Sequence, residues 1–205
     1  ARPKTLTGAV IPVLIGSSLA FADGKFDIIP ALLCVLFACG MQIAANFIND
    51  LYDYLKGSDR ADRLGPERAC AQGWISAAAM KQGIFITVGL ACLIGCTLLF
   101  YAGWELILIG ALCVLFAFLY TTGPYPLSYK GLGDVAVFIF FGLVAVNLTY
   151  YVQALHFCIE VFWGSVAIGL LSVNILMVNN YRDVEADRLS GKKTVVVRFG
   201  HTFAR

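Results

Sequence analysis

The chain has 205 residues, of which 60% are apolar and only 14% are charged, and its mean hydropathy is +0.80. Soluble domains usually carry about a quarter of their residues as charges. This composition excludes disordered, collagen-like and disulfide-scaffold proteins and favours a chain that lies in lipid. The formal net charge of +2 excludes nothing by itself, because the positions of the basic residues say more about topology than their sum.

Six apolar stretches come close to the roughly 20 residues that a helix needs to cross a bilayer. They predict membrane-spanning helices at 5–22, 28–48, 83–103, 105–122, 135–153 and 157–178. Backbone groups must be paired in lipid, and long uniformly apolar runs differ from the alternating strands of a barrel. The sequence therefore predicts an all-α, polytopic transmembrane helical bundle.

The connections between these predicted helices are either very short or long and polar. The long ones are 49–82 and 123–134, and with both chain ends they fall on one side of the bilayer if the six helices alternate. Fourteen of the fifteen Lys and Arg residues lie on that side, and only Lys25 lies opposite. Cytoplasmic loops collect basic residues, so the long loops are predicted to face the cytoplasm.

Two groups of acidic and amide side chains follow the second and sixth predicted helices. Residues three or four apart share a helix face, which predicts one patch per helix end. The first patch contains Asn46, Asn49, Asp50 and Asp53, and the second contains Asn179, Asp183 and Asp187. Stacked carboxylates repel each other, so a divalent cation between them is the simplest interpretation. Mg²⁺ prefers oxygen ligands completed by substrate phosphates, which predicts two ions with a diphosphate between the clusters.

Basic side chains near both clusters are predicted to bind the remaining charge of the diphosphate. They are Lys56, Arg63, Arg182, Lys192 and Lys193. The connection 120–134 is dense in turn residues. Its aromatic rings could wall a substrate pocket, but they are equally typical of the aromatic belt at a membrane–water interface. The predicted substrate pocket contains Asn46, Tyr120, Lys130, Asp134, Asn179 and Asn180.

The residues alone leave several functions open. The clusters could be ordinary solvated helix ends with weak surface ion pairs, as in a structural or scaffold membrane protein. A cation-coupled carrier would also place acidic residues in the membrane, although carriers usually hold them near the midplane. A lipid phosphatase or phosphotransferase would share the Mg²⁺ site but use another acceptor.

The two motifs resemble those of the UbiA superfamily of intramembrane prenyltransferases. The first is Asn49-Asp50-x-x-Asp53 followed by Asp59, and the second is Asp183-x-x-x-Asp187 after the pair Asn179-Asn180. Segments 2–6, 65–69, 131–134 and 179–200 are similar to the branch that prenylates 1,4-dihydroxy-2-naphthoate.

The resemblance implies a Mg²⁺-dependent prenyltransferase. It implies that a polyprenyl group passes from polyprenyl diphosphate to an aromatic acceptor, which in this branch loses its carboxyl as CO₂ during menaquinone biosynthesis. Acceptors used elsewhere in the superfamily, namely 4-hydroxybenzoate, homogentisate and haem, remain alternatives. The implied catalytic residues are Asp50, Asp53, Asp183 and Asp187, and the implied metal ligands are these four with Asn49 and Asp59.

The resemblance also implies an architecture and a location. Family members have nine transmembrane helices, so residues 1–205 are expected to form one UbiA-like domain that is truncated at its C-terminus. An integral protein of the bacterial inner membrane is expected, with its active site facing the cytoplasm. The expected partners are the lipid bilayer and the two substrates, with no nucleic acid and no protein partner implied.

Overall fold

The structure is a computed structural model that describes residues 3–58 and 67–204. Within those two ranges all regular secondary structure is helical and no strand is present, which confirms the all-α prediction. The helices are α1 (Pro3–Ala22), α2 (Ile28–Leu55), α3 (Ala77–Ala102), α4 (Glu105–Leu119), α5 (Gly133–Ala154), α6 (Ile159–Arg182), α7 (Val184–Leu189) and α8 (Val195–Phe199).

Five of the six predicted spans are helices long and apolar enough to cross a membrane, namely α1, α2, α3, α5 and α6. The fourth, α4, has 15 residues and ends at Leu119, three residues before its predicted end. The last turn tightens there, because the backbone N–H of Thr121 bonds to the carbonyl of Phe118, three residues earlier. The turn residues that follow cannot continue the helix. The protein is an integral membrane protein, and in its described ranges one short apolar helix lies among the long ones.

Helix α2 runs seven residues beyond its predicted end and stops at Leu55. Helix α3 begins at Ala77, six residues earlier than predicted, where the hydroxyl oxygen of Ser76 accepts a hydrogen bond from the N–H of Ala79 (3.2 Å). The predicted boundaries of the loop 49–82 are therefore wrong, because the connection between the two helices is shorter at both ends. As a result, Asn49 and Asp53 lie on the last turns of one continuous α2, as the helical spacing of the first patch predicts.

Small residues bring the long helices together. Helix α2 packs along α3, α1 packs along α5, and α5 packs along α6. A Cβ atom added to Gly142 of α5 would lie 2.5 Å from the Cα of Gly169 in α6, so these two backbones touch. Large apolar side chains instead lie on the outside, such as Phe85 (82% exposed) and Phe100 (90% exposed). This arrangement is typical of helices packed in lipid.

Candidate active site

A polar cavity of about 190 Å³ lies where the C-terminal ends of α2 and α6 meet. The connection between α4 and α5, the first turn of α5, α7 and the segment after α7 complete its wall. Ten residues of the predicted site line it: Asn49, Asp53, Tyr120, Asp134, Asn179, Asn180, Arg182, Asp183, Asp187 and Lys192. The fold therefore brings the two predicted clusters to one place.

Asp53 lies at the centre of the polar contacts. Its side chain is almost completely buried, and its Oδ2 lies 3.0 Å from Lys192 Nζ and 3.5 Å from Arg68 Nη2. Its Oδ1 accepts a hydrogen bond from the hydroxyl of Tyr129 (2.8 Å). A buried carboxylate requires partners of this kind, and here they come from three separate segments of the chain.

Asp183 has a different cationic partner. Arg182 Nε and Nη2 donate to its two carboxylate oxygens at 2.8 and 2.9 Å, which is a bidentate pair. Asp183 is buried, whereas the side chain of Arg182 is 38% exposed. Arginine is well suited to such planar, bidentate recognition of carboxylates and of phosphates.

The ring of Tyr129 organises the cations around Asp53. Its face lies 4.2 Å from Lys56 Nζ and 5.0 Å from Lys192 Nζ, measured to the ring centroid. Its hydroxyl is 2.7 Å from Ser58 Oγ, and its backbone carbonyl accepts a hydrogen bond from the N–H of Lys193. Cations are attracted to the faces of aromatic rings, so Tyr129 holds both lysines close to the carboxylate.

The end of α2 is tied to the connection that follows α4. The hydroxyl of Thr121 donates to Asn49 Oδ1, and Lys56 Nζ donates to the backbone carbonyl of Thr121. The first bond orients the amide of Asn49, and the second holds Lys56 against the same connection. Beside them, burial raises the pKa of the Tyr120 phenol, and the charges of Asp134, Asp53 and Asp187 raise it further. Tyr120 is therefore a neutral hydroxyl at physiological pH.

Five residues of the predicted site do not line the polar cavity: Asn46, Asp50, Lys56, Lys130 and Lys193. Asn46 donates to the hydroxyl oxygen of Thr5 (2.8 Å) and faces a second, apolar cavity. Asp50 accepts from the backbone N–H of Ala69 (3.1 Å), and Lys130 lies over the ring of Tyr125. Two further predicted residues, Asp59 and Arg63, lie outside the described residues.

Several cavity residues escaped the sequence prediction. They are Thr5, Arg68, Thr121, Ser128 and Thr194, together with Tyr129, which contacts the cavity residue Asp53. Arg68 could have been predicted as a site residue, because it lies in the segment 65–69 on which the family resemblance partly rests. The others lie in turns or are isolated in the sequence, where no periodic pattern marks a side chain as facing a site.

The second cavity is apolar, has a volume of about 560 Å³ and is lined by α1 to α5. Asn49 and Tyr120 line both cavities, so the two meet there. Cys34 and Asn49 both line the apolar cavity and are 15 residues apart on α2. At 1.5 Å per helical residue this corresponds to about 22 Å of helix. A long apolar chain with a polar head would fit this combination.

The chemistry of the donors suits a hard cation. In the ranges that the structure describes, no group of three or more His, Cys, Asp or Glu side chains is arranged to hold a metal ion. Mg²⁺ needs no such group, because one or two carboxylates usually hold it while waters and substrate phosphates complete the shell. Asn49 and Asp53 on one side and Asn179, Asp183 and Asp187 on the other supply oxygen donors alone.

Comparison with known proteins supports the family resemblance. Residues 9–205 match the model of the UbiA prenyltransferase family. The chain is 40% identical over 210 residues to 1,4-dihydroxy-2-naphthoate octaprenyltransferase of Escherichia coli (strain K12), an alignment that covers 100% of this chain and 68% of that protein. It is 37% identical to the enzyme of the same name from Mycobacterium tuberculosis, with 100% and 70% of the two chains covered.

Solved structures show the same fold at lower sequence identity. A UbiA homologue from Archaeoglobus fulgidus, whose structure was solved with DMAPP and Mg²⁺ bound, matches with a TM-score of 0.68 at 17% identity and covers 98% of this chain and 71% of that one. The family model, the close relatives and the two motifs around one cavity agree. This chain belongs to the UbiA prenyltransferase family.

Proposed function

We propose that the protein transfers a polyprenyl group from polyprenyl diphosphate to 1,4-dihydroxy-2-naphthoate, with Mg²⁺ as cofactor, in menaquinone biosynthesis. The observation that carries the proposal is the junction of the two cavities at Asn49 and Tyr120. It joins oxygen donors and cations to a long apolar space, which matches the two ends of a prenyl diphosphate. The names of the similar enzymes from Escherichia coli and Mycobacterium tuberculosis support the acceptor.

The metal ligands in this proposal come from both sides of the polar cavity. Asn49 and Asp53 would hold Mg²⁺ from α2, and Asp183 and Asp187 would hold it from the end of α6 and from α7. Asp59 is proposed as a further ligand by the family resemblance. Bound Mg²⁺ would neutralise the charge that develops on the departing diphosphate.

In this proposal the cations that pair with the carboxylates also bind the diphosphate. Lys192 and Arg68 share Asp53, and Arg182 binds Asp183. We propose that these three side chains turn to phosphate oxygens when the substrate enters, because charge-assisted bonds to phosphate are as strong as bonds to carboxylate. Each acidic group would then bind metal while its cationic partner pairs with phosphate.

The proposed reaction replaces a carbon–oxygen bond by a carbon–carbon bond, and it needs a site that excludes water. The overall reaction breaks the bond between the prenyl carbon and a diphosphate oxygen, and the electron pair leaves with the diphosphate. The acceptor ring supplies the electrons of the new carbon–carbon bond, and its carboxylate departs as CO₂ and returns its bonding pair to the ring. The apolar cavity would hold the prenyl chain and shield the allylic cation from water.

The location follows from the distribution of charge. The sequence predicts fourteen of the fifteen Lys and Arg residues on the same side of the bilayer as the end of α2, so we propose that the polar cavity faces the cytoplasm. The bacterial inner membrane is the proposed location. A cation carrier is not favoured, because the space that continues from the polar cavity is mostly apolar.

The proposal is tested with membranes from cells that express the protein. Supplied with 1,4-dihydroxy-2-naphthoate and a polyprenyl diphosphate, these membranes should form a prenylated, decarboxylated product that mass spectrometry identifies. Chelation of divalent ions should abolish product formation, and added Mg²⁺ should restore it. Equal turnover after complete chelation would overturn the metal requirement, and absence of the product at saturating Mg²⁺ would overturn the acceptor.

A further inference from the structure

Two buried oxygen atoms in the wall of the polar cavity have no hydrogen-bond partner within the described parts of the chain. They are Asp134 Oδ1, in the first turn of α5, and Ser128 Oγ, in the connection that precedes it. Neither atom is exposed to solvent. A buried polar atom without a partner destabilises the folded state, so the pair points to a ligand that supplies the missing bonds.

Asp134 differs in this respect from the carboxylates assigned to the metal site. Asp53 and Asp183 are each paired with a cationic side chain. Asp134 forms no ion pair with any residue that the structure describes, although it lines the same cavity. Its negative charge therefore disfavours a diphosphate as its partner, and favours a group that donates a hydrogen bond.

The segment 128–134 is folded so that these two side chains lie beside Tyr120. The N–H of Ser128 donates to the carbonyl of Tyr120 (2.9 Å). A Cβ atom added to Gly133 would lie 3.2 Å from the Tyr120 hydroxyl, so glycine allows this close approach. Gly131 has a φ of +76° and would place a Cβ 2.6 Å from the carbonyl of Lys193. The two glycines thus hold the start of α5 against the cavity.

Of the substrates in the proposed reaction, only the aromatic acceptor carries a suitable donor. The prenyl chain has no polar hydrogen, and the ionised diphosphate offers acceptor oxygens. A dihydroxynaphthoate offers two ring hydroxyls. We propose that Asp134 accepts a hydrogen bond from one ring hydroxyl of the acceptor, with Ser128 bonding to the same hydroxyl. This assignment rests on the proposed function.

The proposed contact would act on both binding and reactivity. A hydroxyl that donates to a carboxylate increases the electron density of its ring, which favours attack on an allylic cation. The contact would also select acceptors with a hydroxyl at the matching position. A site built to hydrogen-bond a substrate hydroxyl strongly rejects analogues that lack it.

The test compares Asp134→Asn and Asp134→Ala with the wild-type protein. For 1,4-dihydroxy-2-naphthoate, kcat/KM should fall about tenfold or more, the usual effect of losing a hydrogen bond to a charged group. The KM for prenyl diphosphate and the Mg²⁺ dependence should remain near the wild-type values. Glu160→Gln is the matched control, because Glu160 lies in the first turn of α6 and is exposed. The thermal stability of each purified variant checks that it folds.

Two monohydroxy-2-naphthoates, one lacking the 1-hydroxyl and one lacking the 4-hydroxyl, identify the contact when used as competitive inhibitors. Asp134→Ala should raise the inhibition constant of the analogue that keeps the contacted hydroxyl. The inhibition constant of the other analogue should stay nearly unchanged. An equal effect on both analogues would overturn the assignment. An altered Mg²⁺ dependence would overturn it too, because it would make Asp134 a metal ligand. A wild-type protein that forms no prenylated product would instead overturn the proposed function, and the assignment with it.

Discussion

Lys192 and Asp53 form an ion pair that joins the end of α2 to the segment after α7. The distance between Nζ and Oδ2 is 3.0 Å, although the two residues are 139 positions apart in the sequence. Both side chains are largely buried, with 14% of Lys192 and 3% of Asp53 exposed. The pair is a direct contact between the acidic end of α2 and the basic segment that follows the second motif.

Replacement of Lys192 by Gln tests whether this cation binds the diphosphate. We expect the KM for prenyl diphosphate to rise roughly ten- to a hundredfold, because the loss of a charge-assisted bond costs about 1.5–3 kcal/mol. Initial rates at a fixed acceptor concentration measure it. Lys25→Gln is the control, since Lys25 lies in the turn between α1 and α2. An unchanged KM in the Lys192 variant would remove this residue from the diphosphate site.

Asp50 and Asp53 should behave differently although both belong to the first motif. Asp50 accepts from the backbone N–H of Ala69 and does not line the polar cavity. We therefore propose that it positions the neighbouring Arg68. Asp50→Asn keeps an acceptor oxygen. The factor by which it lowers kcat/KM should therefore be about ten times smaller than the factor for Asp53→Asn. Equal losses in the two variants, measured in the same membranes, would return Asp50 to the metal ligands.

The contact between α5 and α6 predicts a stability effect at Gly142. A methyl group there would lie 2.5 Å from the Cα of Gly169 and 2.7 Å from the carbonyl of Ser165. We expect Gly142→Ala to destabilise the protein by about 1–3 kcal/mol, as overpacking usually does. Thermal unfolding in detergent measures it. Gly89→Ala in α3 is the control, because a Cβ there meets no atom within 4 Å, and similar melting temperatures would contradict the packing.

The topology can be tested with an impermeant thiol reagent. A cysteine introduced at Lys25 should be labelled only from the side opposite the cytoplasm, and one introduced at Glu185 only from the cytoplasm. The unmodified protein, with its seven native cysteines, gives the background. Labelling of the Lys25 position from the cytoplasm alone would reverse the proposed orientation.

The spans and the two acidic clusters could be predicted because hydrophobicity and helical spacing are local properties of the sequence. Residues three and four apart on α2 and α6 share a face, and the structure places Asn49, Asp53 and Asp183 in one cavity. The same rule also includes Asp50, whose carboxylate accepts from the backbone N–H of Ala69 and does not line the cavity. Only a partner segment, here the backbone at Ala69, decides which edge of the patch faces the site.

The contacts between distant segments could not be predicted in this way. Tyr129 and Ser128 lie in a connection without periodicity, and Gly131 and Gly133 fix their positions by close approach to Lys193 and Tyr120. The end of α2 was also predicted too early. Its last turns carry polar residues, which resemble a loop in composition, whereas the helix continues to Leu55 because its polar side chains find partners in the site.

The most direct test of the central claim, that the two clusters form one site, is a comparison of Asp53→Asn, Asp183→Asn and the double variant. Both substitutions nearly preserve side-chain shape and leave one oxygen ligand. The measurement is kcat/KM for prenyl diphosphate at limiting and at saturating Mg²⁺, with protein levels checked in the membrane. We predict that each single variant loses most of its activity and that the double variant is little worse, because residues that act as a unit are strongly non-additive. Mild losses that simply add in the double variant would show two independent clusters and would contradict a single shared site.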